Sequence, residues 1–279
     1  METFKMKNYI GNEIVFAFNI WDINSAKAII DAAAVLKKNV ILQTSVSIYK
    51  KVDVSFIRYF ITEYAKAKNI NAWLHLDHCK DEGIIKDAID NGYDSIMIDA
   101  SSMDLQNNIK ITNQIAKIAH NKNVVVEAEL GQIKGTEDDI ECSGETKVRL
   151  EEIDTFLSET DADMVAVAFG NAHGIYKGNP KLDYNIVKYV TDRTDRPFVV
   201  HGGSGMSDEI IKRLVQIKGV KKINISTDVK VAYREGILNS IENGNFDRDG
   251  FQAIKVENDI HNMIEKMATD KMKLLDEVE

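Results

Sequence analysis

An acid flanked by two imidazoles, His75-Leu76-Asp77-His78, closes an apolar run (Ala72, Trp73, Leu74) and precedes a charged, helix-like segment from Lys80 to Asp90. At the end of a buried strand, a neutral imidazole can bind a metal ion and a carboxylate can move a proton. His78 is therefore a candidate metal ligand and Asp77 a candidate acid/base. His75 lies three residues before His78, so a regular strand points the two to opposite faces, and His75 is expected to support the site. Of the six histidines, two more occupy comparable edges: His173, beyond Met164-Val165-Ala166-Val167-Ala168, and His201, after Phe198-Val199-Val200. Three imidazoles around one centre leave a position open for substrate, as in catalytic zinc sites. His120 and His261 fall within helical patterns and are expected at the surface.

Other polar residues end apolar runs: Asn19, Gln43 with Ser45, Asp99, Glu129, and Asn224 with Ser226. The stretch His201-Gly202-Gly203-Ser204-Gly205 stands between a strand and a helix, where free backbone amides and the helix N-terminus can cradle a phosphate. Asn224-Ile225-Ser226-Thr227 adds hydroxyl and amide donors, and Lys177 a positive charge. Cys79 reads either as a fourth ligand or as a small packed residue. The acidic run Glu137-Asp138-Asp139 lies in a long polar stretch, Gly131 to Thr146, and matters only if that loop folds over the site. Loops of this length in compact domains are more often functional than idle.

These residues need a scaffold that brings distant strand ends together. β-type runs at 14–18, 40–43, 72–74, 95–99, 124–129, 164–168, 198–201 and 220–225 alternate with segments of helical spacing, with Ser25 and Thr227 as expected helix caps. The strands are largely unbroken apolar runs, as parallel strands buried on both faces require. Eight strand–helix units and a chain of 279 residues suit one (β/α)8 TIM barrel over residues 1–279, with a C-terminal helical extension from about Phe251 to Leu275. An open doubly wound sheet is the structural alternative. On a barrel the polar strand ends converge on one mouth, and the loops after strands seven and eight are the common phosphate position.

Bulk composition narrows the partners. A formal charge of −9 gives no basic footprint for nucleic acid, and it means an anionic substrate needs a locally positive pocket. No apolar run approaches the roughly 20 residues of a membrane helix, and no signal core opens the chain, so the expected location is the cytoplasm. Two cysteines, Cys79 and Cys142, are expected as free thiols.

Taken together, His75-Leu76-Asp77-His78, Ser95-Ile96-Met97-Ile98-Asp99, Val126-Glu127-Ala128-Glu129-Leu130-Gly131, Gly170-Asn171-Ala172-His173-Gly174-Ile175-Tyr176-Lys177-Gly178, His201-Gly202-Gly203-Ser204-Gly205 and Asn224-Ile225-Ser226-Thr227 resemble the class II, zinc-dependent ketose-bisphosphate aldolases, the fructose- and tagatose-bisphosphate aldolase family. The resemblance covers nearly the whole chain in the family's order. It implies that His78, His173 and His201 bind Zn2+, that Asp77 is the general acid/base, and that Glu137 exchanges the C3 proton of the dihydroxyacetone phosphate unit. It also implies that Asn19, Gln43, Ser45, Gly174, Lys177, Gly202, Gly203, Ser204, Asn224, Ser226 and Thr227 hold the sugar phosphate. Carbonyls near Gly174 and Gly202 match a monovalent-cation site (Na+ or K+), and Asp99 and Glu129 an alternative, buried metal position. The implied reaction is reversible cleavage of a ketose (bis)phosphate to dihydroxyacetone phosphate and an aldehyde through a zinc-stabilised enediolate, in a homodimer or homotetramer.

Departures from the family pattern fall mostly on the aldehyde half. Ser226 and Lys230 stand where fructose-bisphosphate members commonly carry Asp and Arg, and the first strand ends in Asn19-Ile20-Trp21-Asp22. Val46 to Lys51 replaces a small-residue loop, Lys134 replaces a glycine in the mobile loop, and the helix before strand one is mostly missing. The same mechanism on a monophosphate or deoxy-ketose phosphate is therefore an alternative. A zinc hydrolase on the same barrel is a more distant one, since its His-x-His signature after strand one is absent, and a binding protein without catalysis is a third.

Overall fold

The structure, a computed structural model, describes residues 5–137, 140–142, 148–176, 178–247 and 249–276, with the backbone alone at 137 and 140–142. Eleven strands occur among these residues. Eight are parallel and close a barrel: β1 (Val15–Asn19), β2 (Val40–Thr44), β3 (Ala72–Cys79), β4 (Ser95–Ile98), β5 (Val125–Leu130), β8 (Met164–Val167), β10 (Phe198–Val200) and β11 (Val220–Ile225). Closure is direct, because β1 pairs with β2 on one side and β11 on the other. The remaining three, β6 (Lys134–Glu137), β7 (Ile140–Cys142) and β9 (Ala172–His173), form a small sheet of their own. The expected (β/α)8 barrel is the fold, and the open doubly wound alternative is excluded by the closed strand order.

Helices α1 (Ile23–Leu36), α3 (Val54–Ala67), α4 (Glu82–Asp90), α5 (Leu105–His120), α6 (Leu150–Glu159), α7 (Tyr184–Thr191), α8 (Asp208–Val215) and α9 (Thr227–Glu242) return the chain between strands or follow the last one, and α2 (Val46–Tyr49) is a single short turn after β2. The final α10 (Ala253–Lys273) packs on α9 and α1, over the seam where the last and first strands meet. Asp22, rather than the expected Ser25, caps α1: its carboxylate accepts from the Ser25 amide at 2.7 Å, while Ser25 bonds back as the other half of a capping box. Such a cap contributes about 1 kcal/mol. Likewise α9 begins after Ser226, with Thr227 as its first residue.

The apolar residues divide into two cores. Outward-facing strand residues and helix faces form the larger one. Inside the barrel, Val15, Ala17, Ile41, Trp73, Val125, Met164, Ala166 and Val199 fill the N-terminal end and are stoppered by Met6, Tyr9 and Ile10. A 3-10 turn, Met6–Asn8, lies at this end, and the Tyr9 ring lies 4.8 Å from that of Trp73. Among the described residues no helix is long and apolar enough to cross a membrane.

Candidate metal and sugar-phosphate site

Alternation along β3 points Trp73, His75 and Asp77 into the barrel and would send His78 outward. A register shift against β4 between Leu76 and Cys79 breaks that alternation. At the shift His78 adopts φ of 46°, a left-handed conformation that costs a non-glycine residue energy and concentrates at functional sites. The extra residue turns His78 inward beside Asp77 and returns Cys79 to the outer core, where its thiol lies 3.4 Å from the Asp81 carbonyl oxygen. Cys79 is a buried free thiol and is not part of the histidine cluster.

His78, His173 and His201 converge as expected. All three are buried, and their candidate ligand atoms lie within 4.8 Å of one another. The His78 ring stands edge-on to both others, with centroids 4.9 Å from His173 and 4.6 Å from His201. His78 Nδ1 lies 3.4 Å from Asp99, and His201 Nε2 bonds Glu127 at 2.7 Å. The opposite nitrogens, His78 Nε2 and His201 Nδ1, are buried without a hydrogen-bond partner. Leaving such atoms unpaired costs about 1–3 kcal/mol each, so imidazole nitrogens gathered this closely fit a borderline-soft divalent ion, and three nitrogen donors with an open position fit zinc.

Acidic groups set the electrostatics. Burial opposes charge on His78, yet Asp77, the bond to Asp99 and Glu129 outweigh it and raise its pKa to about 10. Burial also opposes ionisation of Asp99, but His78 and Ser101 hold its carboxyl well below the usual range. Glu129 is pushed up to about 8, by burial and then by the Asp99 charge, and its Oε2 lies 3.3 Å from His201 Nδ1. His201 itself is pushed down to about 4 by burial, against its bond to Glu127. The cluster therefore gathers excess negative charge around its nitrogens, which favours a bound cation.

Asp77 sits at the centre of the mouth, 3% exposed. Gln43 Nε2 donates to it at 3.0 Å and to Asn19 Oδ1 at 2.6 Å, and Asn224 Nδ2 approaches its other oxygen at 3.5 Å. Asn19, Gln43 and Asn224 thus surround the acid from β1, β2 and β11. Ser45 is buried near the mouth and bonds Ser47 at 3.0 Å.

The glycine loops pack against each other. Tyr176 Oη accepts from the Ala172 amide at 2.9 Å and donates to the Gly202 carbonyl at 3.0 Å, tying the loop after β8 to the one after β10. Gly202 has φ of 68°, and a Cβ there would fall 2.1 Å from the Ala172 carbonyl oxygen, so only glycine permits the approach. Ser204 Oγ accepts from the Ser226 and Asp228 amides at 3.0 and 3.2 Å, capping α9 from a neighbouring loop. Its hydroxyl proton is left to donate. Gly174 and Gly203 stand in the same two loops, and Ser226 Oγ is buried without a partner.

Lys177 lies outside the described residues, as do Asp138, Asp139 and the side chain of Glu137. The backbone of β6, ending at Glu137, runs along β9 with Gly135 opposite His173. The stretch expected to be an irregular loop therefore contains two short strands, β6 and β7, beginning beside the histidine cluster. His120 and His261 are also more engaged than surface histidines: His120 Nε2 pairs with Asp163 at 2.8 Å, and His261 lies 3.5 Å from Asp31.

Two residues escaped the sequence reading. Glu127 and Lys222, both fully buried, form an ion pair of 2.7 Å inside the barrel. Burial opposes charge on Glu127, but Lys222 and His201 hold it well below the usual carboxylate range. The signal was present, since alternation places Glu127 on the face of Glu129 and Lys222 on that of Asn224.

The family model for fructose-bisphosphate aldolase class-II matches residues 5–279. The chain belongs to this family. It is a class II aldolase, a lyase. A protein named sulfofructosephosphate aldolase, from Alkalicoccus urumqiensis, is 31% identical over 231 residues, covering 82% of this chain and 80% of that protein. Among solved structures, the YdjI aldolase from Escherichia coli K12 is 28% identical with a TM-score of 0.81, covering 96% of this chain and 94% of that one. A fructose-bisphosphate aldolase from Campylobacter jejuni, 22% identical, shares the fold with a TM-score of 0.80 over 98% of this chain and 93% of its own. Class II aldolases use a divalent metal, and the three histidines form a cluster that could hold one.

A cavity of about 300 Å³ opens beside the mouth, lined by Asn19, Ile20, Trp21, Ile48, Lys230 and Tyr233. Trp21 meets Tyr233 edge-on at 5.4 Å. The larger surface cavity, about 800 Å³, lies between α7 and α8 at the opposite end of the barrel, remote from the histidines.

Proposed function

We propose that this chain, as one catalytic unit over residues 1–279, reversibly cleaves a ketose phosphate of the tagatose- or fructose-1,6-bisphosphate type to dihydroxyacetone phosphate and an aldehyde. The supporting observation is the convergence of three buried histidines from three strand ends on one centre, next to an acid held in place by amides. His78, His173 and His201 would hold Zn2+, with Asp99 and Glu129 as an alternative metal position. A bound zinc ion supplies Lewis-acid stabilisation of the negative charge that carbon–carbon cleavage leaves on the ketone half.

Asp77 takes the C4 hydroxyl proton during cleavage and returns it in condensation. Gln43 and Asn224 keep its oxygens turned to the mouth, and Asn19 and Ser45 complete that wall. Glu137 exchanges the proton at the triose carbon; in support, the backbone strand that ends at Glu137 pairs with β9 at Gly135 and His173. Gly174, Gly202, Gly203, Ser204, Ser226 and Thr227, with Lys177, offer amides, hydroxyls and charge to the phosphate, where the N-terminus of α9 favours an anion. Carbonyls near Gly174 and Gly202 provide for a Na+ or K+ ion. The active form is a cytoplasmic homodimer or homotetramer.

A second reading concerns the distal end of the sugar. Lys230 and two aromatic rings line the cavity beside Asn19, and Ser226 and Lys230 depart from the fructose-bisphosphate pattern. Together with the relative named for a sulfofructose phosphate, this favours a substrate whose distal group is something other than an ordinary phosphate, a sulfonate included. The test is a coupled assay for dihydroxyacetone phosphate release across fructose- and tagatose-bisphosphate, a sulfofructose phosphate and a deoxy-ketose phosphate, with chelated and zinc-restored enzyme. Activity that depends on zinc and favours one distal group is expected. Full activity in a chelated, metal-free sample would end the zinc reading.

A further inference from the structure

Beneath the mouth, one carboxylate holds two donors that arrive from across the barrel. Glu127 on β5 receives Lys222 Nζ from β11 on Oε2 at 2.7 Å, and His201 Nε2, from the end of β10, on Oε1 at 2.7 Å. All three side chains are fully buried. β5 and β11 are not neighbours in the barrel, since β8 and β10 stand between them, so the pair spans the lumen under His201. Stability does not account for it. A buried ion pair loses most of its mutual attraction to desolvation, and apolar replacements of like volume are often neutral or stabilising.

We infer that Lys222 and Glu127 are positioning residues for His201, fixing its ring and its tautomer so that Nδ1 faces His78 and His173. With each oxygen of the carboxylate engaged by one donor, the group cannot rotate. An ionised carboxylate only accepts, so His201 must carry its proton on Nε2. Nδ1 is then a bare lone pair, buried without a hydrogen-bond partner although Glu129 Oε2 lies 3.3 Å away, on a ring whose centroid lies 4.6 Å from that of His78 and 5.9 Å from that of His173. His75 does not compete for the carboxylate by a hydrogen bond: its Nε2 is 3.7 Å from Glu127 Oε2, and its Nδ1 pairs with Ser95 at 2.8 Å. Partners that orient a metal-binding histidine typically change metal affinity 10- to 100-fold when removed. The inference rests on the three-histidine metal reading, with one measurement that does not.

An amide in place of the carboxylate makes the role visible. In Glu127→Gln the single amide oxygen goes to Lys222, which needs an acceptor, and the NH2 group turns to His201 Nε2. The proton on His201 moves to Nδ1, the nitrogen that should face the metal. Adding Lys222→Met frees the amide to offer its oxygen to His201 and restores the original tautomer. Long-range proton–nitrogen NMR of 15N-histidine-labelled, metal-free full-length protein reads the tautomer, and chelator competition reads zinc affinity without any turnover. Expected are an Nε2–H tautomer in the wild type, an affinity about 10- to 100-fold weaker in E127Q, and recovery of most of that loss in E127Q/K222M. A merely structural role predicts no rescue by a second core substitution. Should E127Q fail to fold, the charge-free pair E127Q/K222M and E127L/K222M carries the same comparison, with the leucine variant binding zinc more weakly. A wild-type His201 protonated on Nδ1, or double variants that bind zinc equally, would overturn the inference. A wild-type protein that takes up no zinc yet shows the Nε2–H tautomer overturns the metal reading alone and supports the positioning.

Discussion

At the N-terminal end of the barrel, Val15, Ala17, Ile41, Trp73 and Val125 pack against Met6 and Ile10 in a closed apolar plug. A few residues further along the same strands stand Asn19, Gln43, Asp77 and Glu129, buried as deeply but polar. Among the described residues, the buried side-chain polar atoms without a hydrogen-bond partner belong to Asn19, Gln43, His75, His78, Glu129, His201, Asn224 and Ser226. All of them lie toward the mouth. The difference teaches where each end gets its order. The plug is held by packing, where each side chain has neighbours of matching shape. The mouth is held in a costly arrangement by the rest of the fold, as expected where a site is shaped for a ligand. One strand carries both: β3 steps from Trp73 through His75 to Asp77, from core to chemistry in four residues.

Substitutions at the two ends should therefore fail in different ways, and the largest effect should come from the histidine cluster. On the proposed reading His173→Ala removes one of three ligands and should abolish zinc uptake and turnover together, measured by metal analysis and the coupled assay. Retained zinc with retained activity would place the metal elsewhere. Asp77→Ala should lower turnover by about 10²- to 10⁴-fold, the usual contribution of a general acid/base, while zinc stays bound. A parallel loss of metal would mean that Asp77 holds the cluster rather than moving a proton.

The plug is tested by Trp73→Ala. Deleting a buried indole should cost about 3–5 kcal/mol of stability, read from denaturant unfolding, while the folded fraction keeps its zinc affinity. If zinc binding weakens as much as stability, the two ends are coupled and the contrast fails. The Lys222–Glu127 layer lies between them, and it is the natural route for such coupling.

Much of this contrast was readable before the fold was known, and the unread parts share a cause. Apolar runs and helical spacing gave the eight units, and histidines at strand ends gave the cluster, because both depend on residue type at regular intervals. His78 was harder, because strict alternation sends it to the wrong face and only the shift at Leu76–Cys79 turns it inward. Glu127 and Lys222 signal no role by residue type, and only their alternation with Glu129 and Asn224 puts them on the lumen face. The short strands β6 and β7 have no apolar period in the sequence, and β6 is placed by backbone pairing with β7 and with β9 at Ala172 and His173. Asp22 and Ser25 form one capping box, so composition alone named the wrong member of the pair.

The smallest effect is also the one that separates the two ends by sign. Ser226 Oγ is buried with no hydrogen-bond partner, while the Ser226 amide is secured by Ser204. Ser226→Ala therefore removes an unsatisfied hydroxyl and leaves the backbone bond intact. Stability should stay level or rise by about 1 kcal/mol, the scale of an unpaired buried polar group. If Ser226 holds the phosphate as proposed, activity should fall through a higher KM, because such a hydroxyl contributes to binding in ground and transition states alike. Unfolding curves and steady-state kinetics on the same preparation decide it. A destabilised variant with unchanged KM would show that Ser226 belongs to the packing of the barrel and that the polar mouth is ordered by the same rules as the plug.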